Sequence, residues 1–246
     1  MQSSAVTKPV SITVSDAIRV AGLLKKPPHA RACYVLAHGA GAGMDHPFME
    51  DVARGLAARG VATLRYQFRY MERGSRRPDP PQLAQATVRA AVTEALRLLP
   101  ELALIAGGKS FGGRMASQAQ ANAPLQGVSG LAFLGFPLHP AGRPSRDRAE
   151  HLFNVRIPML FLQGTRDNLA SLDQLEPLCK QLGKPATLKL FADADHSFHV
   201  PARTGRKDAE VLADMLDALT AWLEGVVLRT GKAPDRVSQP HTCVRS

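Results

Sequence analysis

Short runs rich in β-branched and aliphatic residues alternate along the chain with stretches whose apolar positions recur every three or four residues. That alternation predicts an α/β protein with a mainly parallel sheet and helices between its strands. Residues 9–15 (PVSITVS) and 18–25 (IRVAGLLK) read as a leading strand pair, and Pro27 and Pro28 interrupt the chain before a buried-looking strand over 32–37. A helix is expected over 47–59, where Phe48, Val52 and Leu56 share one face, and Gly60 ends it before the strand VATLRYQF. The polar stretch 69–81, rich in Arg and Pro, reads as a loop leading into a long helix over 82–99. Strands ALIAGG, VSGLAFLGF, PMLFLQG and ATLKLF follow, with helices expected over 111–121, 172–182 and 208–228. The last carries Leu212, Met215, Leu219, Trp222 and Val226 on one face, and 137–156 reads as a basic, irregular connection. From Arg229 on, Pro, Gly, Ser and charge dominate. One domain over 1–228 and a basic, disordered tail over 229–246 are therefore expected.

The 246 residues are 45% hydrophobic and 21% charged, which excludes a disordered chain, a fibre and a coiled-coil rod. Three cysteines (Cys33, Cys179, Cys243) without paired or metal-type spacing argue against a disulfide scaffold and for a reducing, cytoplasmic setting. No secretory leader is read at the start, and no run approaches the roughly 20 apolar residues that span a bilayer. A net charge of +10 could attract nucleic acid or acidic substrates. Aromatic residues are only 5%, and the basic residues are mostly scattered, so a nucleic-acid role is disfavoured.

The strongest chemical signal is Gly108-Lys109-Ser110-Phe111-Gly112, a G-x-S-x-G between an expected strand and an expected helix. A serine on such a sharp turn projects its hydroxyl from the sheet, and Gly108 and Gly112 leave room where strand and helix nearly touch. Ala103 to Ser110 also loosely matches a phosphate-binding A-x-x-x-x-G-K-S, but Leu104, Ile105 and Ala106 read as strand and leave too little loop to curl round phosphates.

A serine needs a base, and the base an orienting carboxylate. Asp167 follows the strand PMLFLQG, and His196 follows ATLKLF, so the chain order is serine, acid, histidine. His199 is a weaker rival base. Asp193 and Asp195 are weaker rival acids, since an acid on the histidine's own turn seldom faces its far nitrogen. His29, His139, His151 and His241 read as loop residues, and no histidine pair has metal spacing. Acyl transfer also needs oxyanion donors, for which the backbone N–H groups of Phe111 and of Ala40, in His38-Gly39-Ala40-Gly41-Ala42-Gly43, are the candidates. His38 reads as a support of that loop, and Lys109 and Arg114 as ion-pair partners beside the elbow.

Together these residues resemble the α/β-hydrolase superfamily. The blocks HGAGAGMDHPFM, GGKSFGGRMA, GTRD and DHSF are similar to the branch of testis-expressed protein 30 and subunit 3 of the NSL chromatin complex, whose bacterial members are labelled dienelactone-hydrolase-like. The resemblance spans about residues 6–228. It implies a doubly wound, mostly parallel sheet without a separate cap domain, with Ser110, Asp167 and His196 at the family's triad positions. Dienelactone hydrolases proper use a cysteine nucleophile, so their substrate does not carry over. Tyr66-Gln67-Phe68-Arg69 also departs from the branch's aromatic-Asn-Phe-Pro. The expected activity is a serine hydrolase of the esterase or thioesterase type, acting on a small-molecule ester or thioester, anionic if the Arg69–Arg77 loop contacts it. No cofactor, metal or membrane partner is expected. The alternative is a non-catalytic interaction module on a hydrolase scaffold.

Overall fold

A computed structural model describes residues 5–228. The expected tail over 229–246, with His241 and Cys243, lies outside the described residues. Eight strands form one sheet in the order β1-β2-β4-β3-β5-β6-β7-β8. They are β1 (Thr7–Ser15), β2 (Ile18–Lys25), β3 (Ala32–Ala37), β4 (Val61–Tyr66), β5 (Ala103–Lys109), β6 (Val128–Leu134), β7 (Met159–Gly164) and β8 (Ala186–Phe191). The leading pair is antiparallel and joins β4 through β2, and β4-β3-β5-β6-β7-β8 is parallel throughout. The helices are α1 (Pro47–Ala58), α2 (Arg69–Glu72), α3 (Pro81–Leu98), α4 (Phe111–Asn122), α5 (Leu172–Leu182) and α6 (Asp208–Trp222).

The central strands are buried on both faces, as helices covering a parallel sheet require. In β3, Cys33, Val35 and Ala37 join the core under α3, α4 and α5, while Ala32, Tyr34 and Leu36 join the core under α1 and α6. The two-residue period of the strand thus feeds two separate cores. On α6 the buried face is Val211, Met215, Leu216, Leu219 and Trp222, with Leu212 only partly buried.

Three expectations are corrected. The 69–81 loop contains the helical turn α2, because Phe68 and Tyr70 are buried and pull the backbone inward. The final helix is α-helical to Trp222, and residues Leu223–Leu228 continue as wider π-helical turns. Within 137–156, the stretch Asp147–Asn154 winds into 3₁₀ turns, anchored by buried Ala149 and Leu152. That connection from β6 to β7 holds no separate cap.

Strand order places the chemistry. The chain leaves β3 for one face of the sheet, through α1, and leaves the adjacent β5 for the other, through α4. The loops at their carboxyl ends diverge and open a crevice, the place where open α/β sheets bind ligands.

Candidate active site

Ser110 sits between β5 and α4 with φ 48° and ψ −114°, a left-handed backbone uncommon outside glycine. The turn holds because the chain passes very close to its neighbours. A Cβ at Gly108, whose φ is +146°, would lie 2.1 Å from the Ala37 carbonyl oxygen. A Cβ at Gly112 would lie 2.6 Å from both the Ala37 Cβ and the His38 carbonyl oxygen. The Ser110 N–H donates to the Leu134 carbonyl at 3.2 Å and ties the turn to β6.

His196, on the loop after β8, lies against this serine. Its Nε2 is 2.8 Å from Ser110 Oγ, and its Nδ1 is 2.7 Å from Asp167 Oδ2. An ionised carboxylate only accepts, so Nδ1 carries the proton and Nε2 is left to accept the serine O–H. The Asp167 side chain is sealed from solvent, whereas the His196 side chain is 20% exposed. Two further donors hold Asp167, Gln163 Nε2 on Oδ2 at 2.5 Å and the Leu169 N–H on Oδ1 at 2.8 Å. Gln163 is itself held, its Oε1 accepting the Phe136 N–H at 2.9 Å.

The glycine-rich loop after β3 runs beside the serine: a Cβ at Gly39 would lie 3.8 Å from Ser110 Cβ. Among the described residues, the N–H groups of Ala40 and Phe111 make no hydrogen bond. The loop is braced from below. His38 Nδ1 donates to the Gly39 carbonyl at 2.7 Å, and its Nε2 accepts the Phe68 N–H at 3.1 Å. Burial drives the His38 imidazole down to about 4. It is therefore neutral, with both nitrogens occupied. Tyr70 Oη accepts the Gly41 N–H at 3.0 Å, Gln67 Oε1 accepts the Met44 N–H at 2.8 Å, and the buried Arg65, paired with Glu50, donates to the Met44 carbonyl at 3.1 Å.

The rival residues are placed elsewhere. Asp195 Oδ1 accepts the Ser197 and His199 N–H groups and shapes the turn, and His199 pairs with Asp208 at 2.9 Å. Two readings are corrected. Lys109 makes no ion pair among the described residues; its Nζ donates to the His196 carbonyl at 2.6 Å and lies 5.7 Å from the Phe198 ring centroid. Burial lowers its ammonium to about 8, and Asp167 and Asp195 partly oppose that. Arg114 likewise has no carboxylate partner and lies over the Phe111 ring. His139 lies in a loop as expected, whereas His151 lies in the 3₁₀ turns. His139 is buried, and His151 Nε2 lies 2.7 Å from the buried Ser117 Oγ.

Beside the serine opens a cavity of about 430 Å³. Ala40, Ala42, Phe48, Met49 and Leu169 supply its apolar wall, and Lys109 and His196 also line it. Gln163, Tyr70 and the bracing role of Gln67 escaped the sequence reading. Only Gln163 carried a signal there, as a polar residue inside the apolar run MLFLQG.

A family model described as an alpha/beta hydrolase domain matches residues 30–224. Among solved structures, a dienelactone hydrolase from Anabaena variabilis superposes with a TM-score of 0.75 at 23% identity, over 92% of this chain and 100% of that one. A lidless α/β serine hydrolase from Xanthomonas campestris gives 0.69 at 21% identity, over 93% and 96%. The esterase domain of a Rhodothermus marinus protein gives 0.69 at 18% identity, over 90% and 99%. With most of its length matched by that family model, the chain belongs to the α/β-hydrolase family.

Proposed function

We propose that the protein is a serine hydrolase cleaving a small carboxylic ester or thioester through an acyl-enzyme. The observation that carries this reading is the continuous hydrogen-bonded path from Ser110 Oγ through His196 to Asp167, at 2.8 and 2.7 Å. Ser110 attacks the carbonyl carbon as His196 Nε2 takes its proton. Asp167 keeps the imidazole in the required tautomer and stabilises the imidazolium. The free N–H groups of Phe111 and Ala40 receive the developing oxyanion, and His196 then returns the proton to the leaving group. Water, activated by the same histidine, releases the acid. The cavity wall of Phe48, Met49 and Leu169 suits a short apolar acyl group.

Within the family, the blocks around Gly39 and Ser110 support membership of the branch of testis-expressed protein 30 and NSL subunit 3. Cys33 and Cys179 are free and buried, which supports a reducing, cytoplasmic setting. Among the described residues no helix is long and apolar enough to cross a membrane.

A fluorophosphonate probe tests the reading directly. Wild type should label at Ser110 and Ser110→Ala should not, with kcat on a nitrophenyl ester lower by about 10⁴ to 10⁶. Equal labelling of both proteins, or of neither, would instead favour a non-catalytic interaction module.

A further inference from the structure

The crevice is asymmetric in charge. Its α1 side holds the largely apolar cavity, while its α4 side leads onto arginines. Arg114 lies one helical turn beyond the serine, its N–H donating to the Ser110 carbonyl at 3.1 Å and its guanidinium 5.8 Å from the centroid of the Phe111 ring. Its Nε is buried without an acceptor. Arg148 belongs to the β6–β7 connection, which His151 ties to α4 through the Ser117 hydroxyl at 2.7 Å, and its charge acts with burial to lower the Arg114 pKa. The Phe111 ring also meets Tyr70 of α2, at 6.4 Å between centroids, so the 69–77 segment begins near the same spot.

Segments 69–77 and 143–156 carry four arginines each. Among the described residues only one of those eight has a carboxylate within 4.0 Å, Arg73 with Asp79 at 3.8 Å. At the first segment Asp79 Oδ2 accepts the Tyr70 N–H and Glu72 accepts the Ala21 N–H, while Asp147 and Glu150 of the second lie beyond 4.0 Å of any cation among the described residues. Two guanidinium groups near each other beside a reactive serine, as Arg114 and Arg148 are, disfavour each other's charge and are relieved by an anion. A lone charge run is ordinarily just solvated. Arg114 differs, because it is half-buried, unpaired and adjacent to the residue proposed as an oxyanion donor.

We propose that this arginine rim receives the leaving group, and that the preferred substrate is a short acyl group carried on a phosphate-bearing thiol or alcohol. The inference rests on the hydrolase reading. The acyl part enters the cavity lined by Phe48, Met49 and Leu169, and the phosphates lie over Phe111 towards Arg114 and Arg148. Ser110 Oγ bonds to the carbonyl carbon and the C–S or C–O bond breaks. The leaving thiolate or alkoxide takes the proton that His196 received from Ser110, and water then releases the carboxylic acid.

Two matched pairs test this on the intact protein. Acetyl-coenzyme A is compared with S-acetyl-N-acetylcysteamine, and a short-chain acylglycerol 3-phosphate with the corresponding acylglycerol. In at least one pair, which identifies thiol or alcohol as the carrier, the phosphorylated member should show kcat/KM higher on the order of tenfold at low ionic strength. About 0.5 M NaCl should erase that preference, because screening shortens the reach of exposed charges. Arg148→Gln and Arg143→Gln should lower the ratio, with fluorophosphonate labelling reporting that each variant is folded; the salt series needs no variant. Ratios near one in both pairs, with the uncharged members turned over, would overturn the inference and leave the hydrolase reading standing. Inhibition by short duplex DNA with no preference in either pair would also overturn it, assigning the rim to nucleic acid. No turnover of any member together with no probe labelling would remove the hydrolase reading itself, and this inference with it.

Discussion

At the scale of single residues, the polar groups around Ser110 form a chain of dependence in which each member is fixed by the next. Gln163 is the deepest link, bonded to Asp167 and to the Phe136 N–H in a site with no water contact of its own. Gln163→Leu leaves that N–H and one carboxylate lone pair unsatisfied. It should cost about 1–3 kcal/mol in urea unfolding and lower kcat roughly tenfold with little change in KM. Two imidazoles, His38 buried and His151 partly buried, make the fold acid-sensitive. Burial drives His38 and His151 from 6.5 down to about 4, so between those values only the unfolded chain takes up their protons. Their stabilisation is complete above about pH 6.5 and is lost as pH falls towards 4. Thermal midpoints should drop across that window, and His151→Gln should flatten the drop.

At the scale of elements, close approach governs the elbow. Gly112 has no positive φ, yet a Cβ there would strike both Ala37 and the His38 carbonyl at 2.6 Å. Gly112→Ala must push α4 away from β3 and should cost more than about 3 kcal/mol, read as the shift in urea midpoint. The strands and long helices were legible in the sequence because a half- or fully buried element imprints its period locally, as β3 and α3 do. The placement of Ser110, Asp167 and His196 at strand ends was legible for the same reason. What escaped was non-local. The α2 turn exists because Tyr70 is needed against Gly41, some thirty residues away in sequence, and nothing in RYME announces it. Lys109 reads as a salt-bridge residue from its charge, but its partner is a backbone carbonyl 87 positions later, which no composition reveals.

At the scale of the whole molecule, α6 closes one face of the sheet by burial and not by charge. Leu219 is fully buried in the core that α6 and α1 form over the sheet with Tyr34, Leu36 and Leu160, and Leu219→Ala should cost about 2–5 kcal/mol in urea unfolding. The ion pair of Arg59 with Asp217, which joins α6 to α1, is far more exposed, and losing it should cost under about 1 kcal/mol. The strand order also sets when the site can exist. Ser110 follows a central strand, but the imidazole beside it follows β8, the outermost and last, 86 residues later. A nascent or partly assembled chain can therefore display the hydroxyl without its base. The nucleophile stays dormant until the final edge docks, and the first appearance of turnover during refolding would time the completion of the sheet.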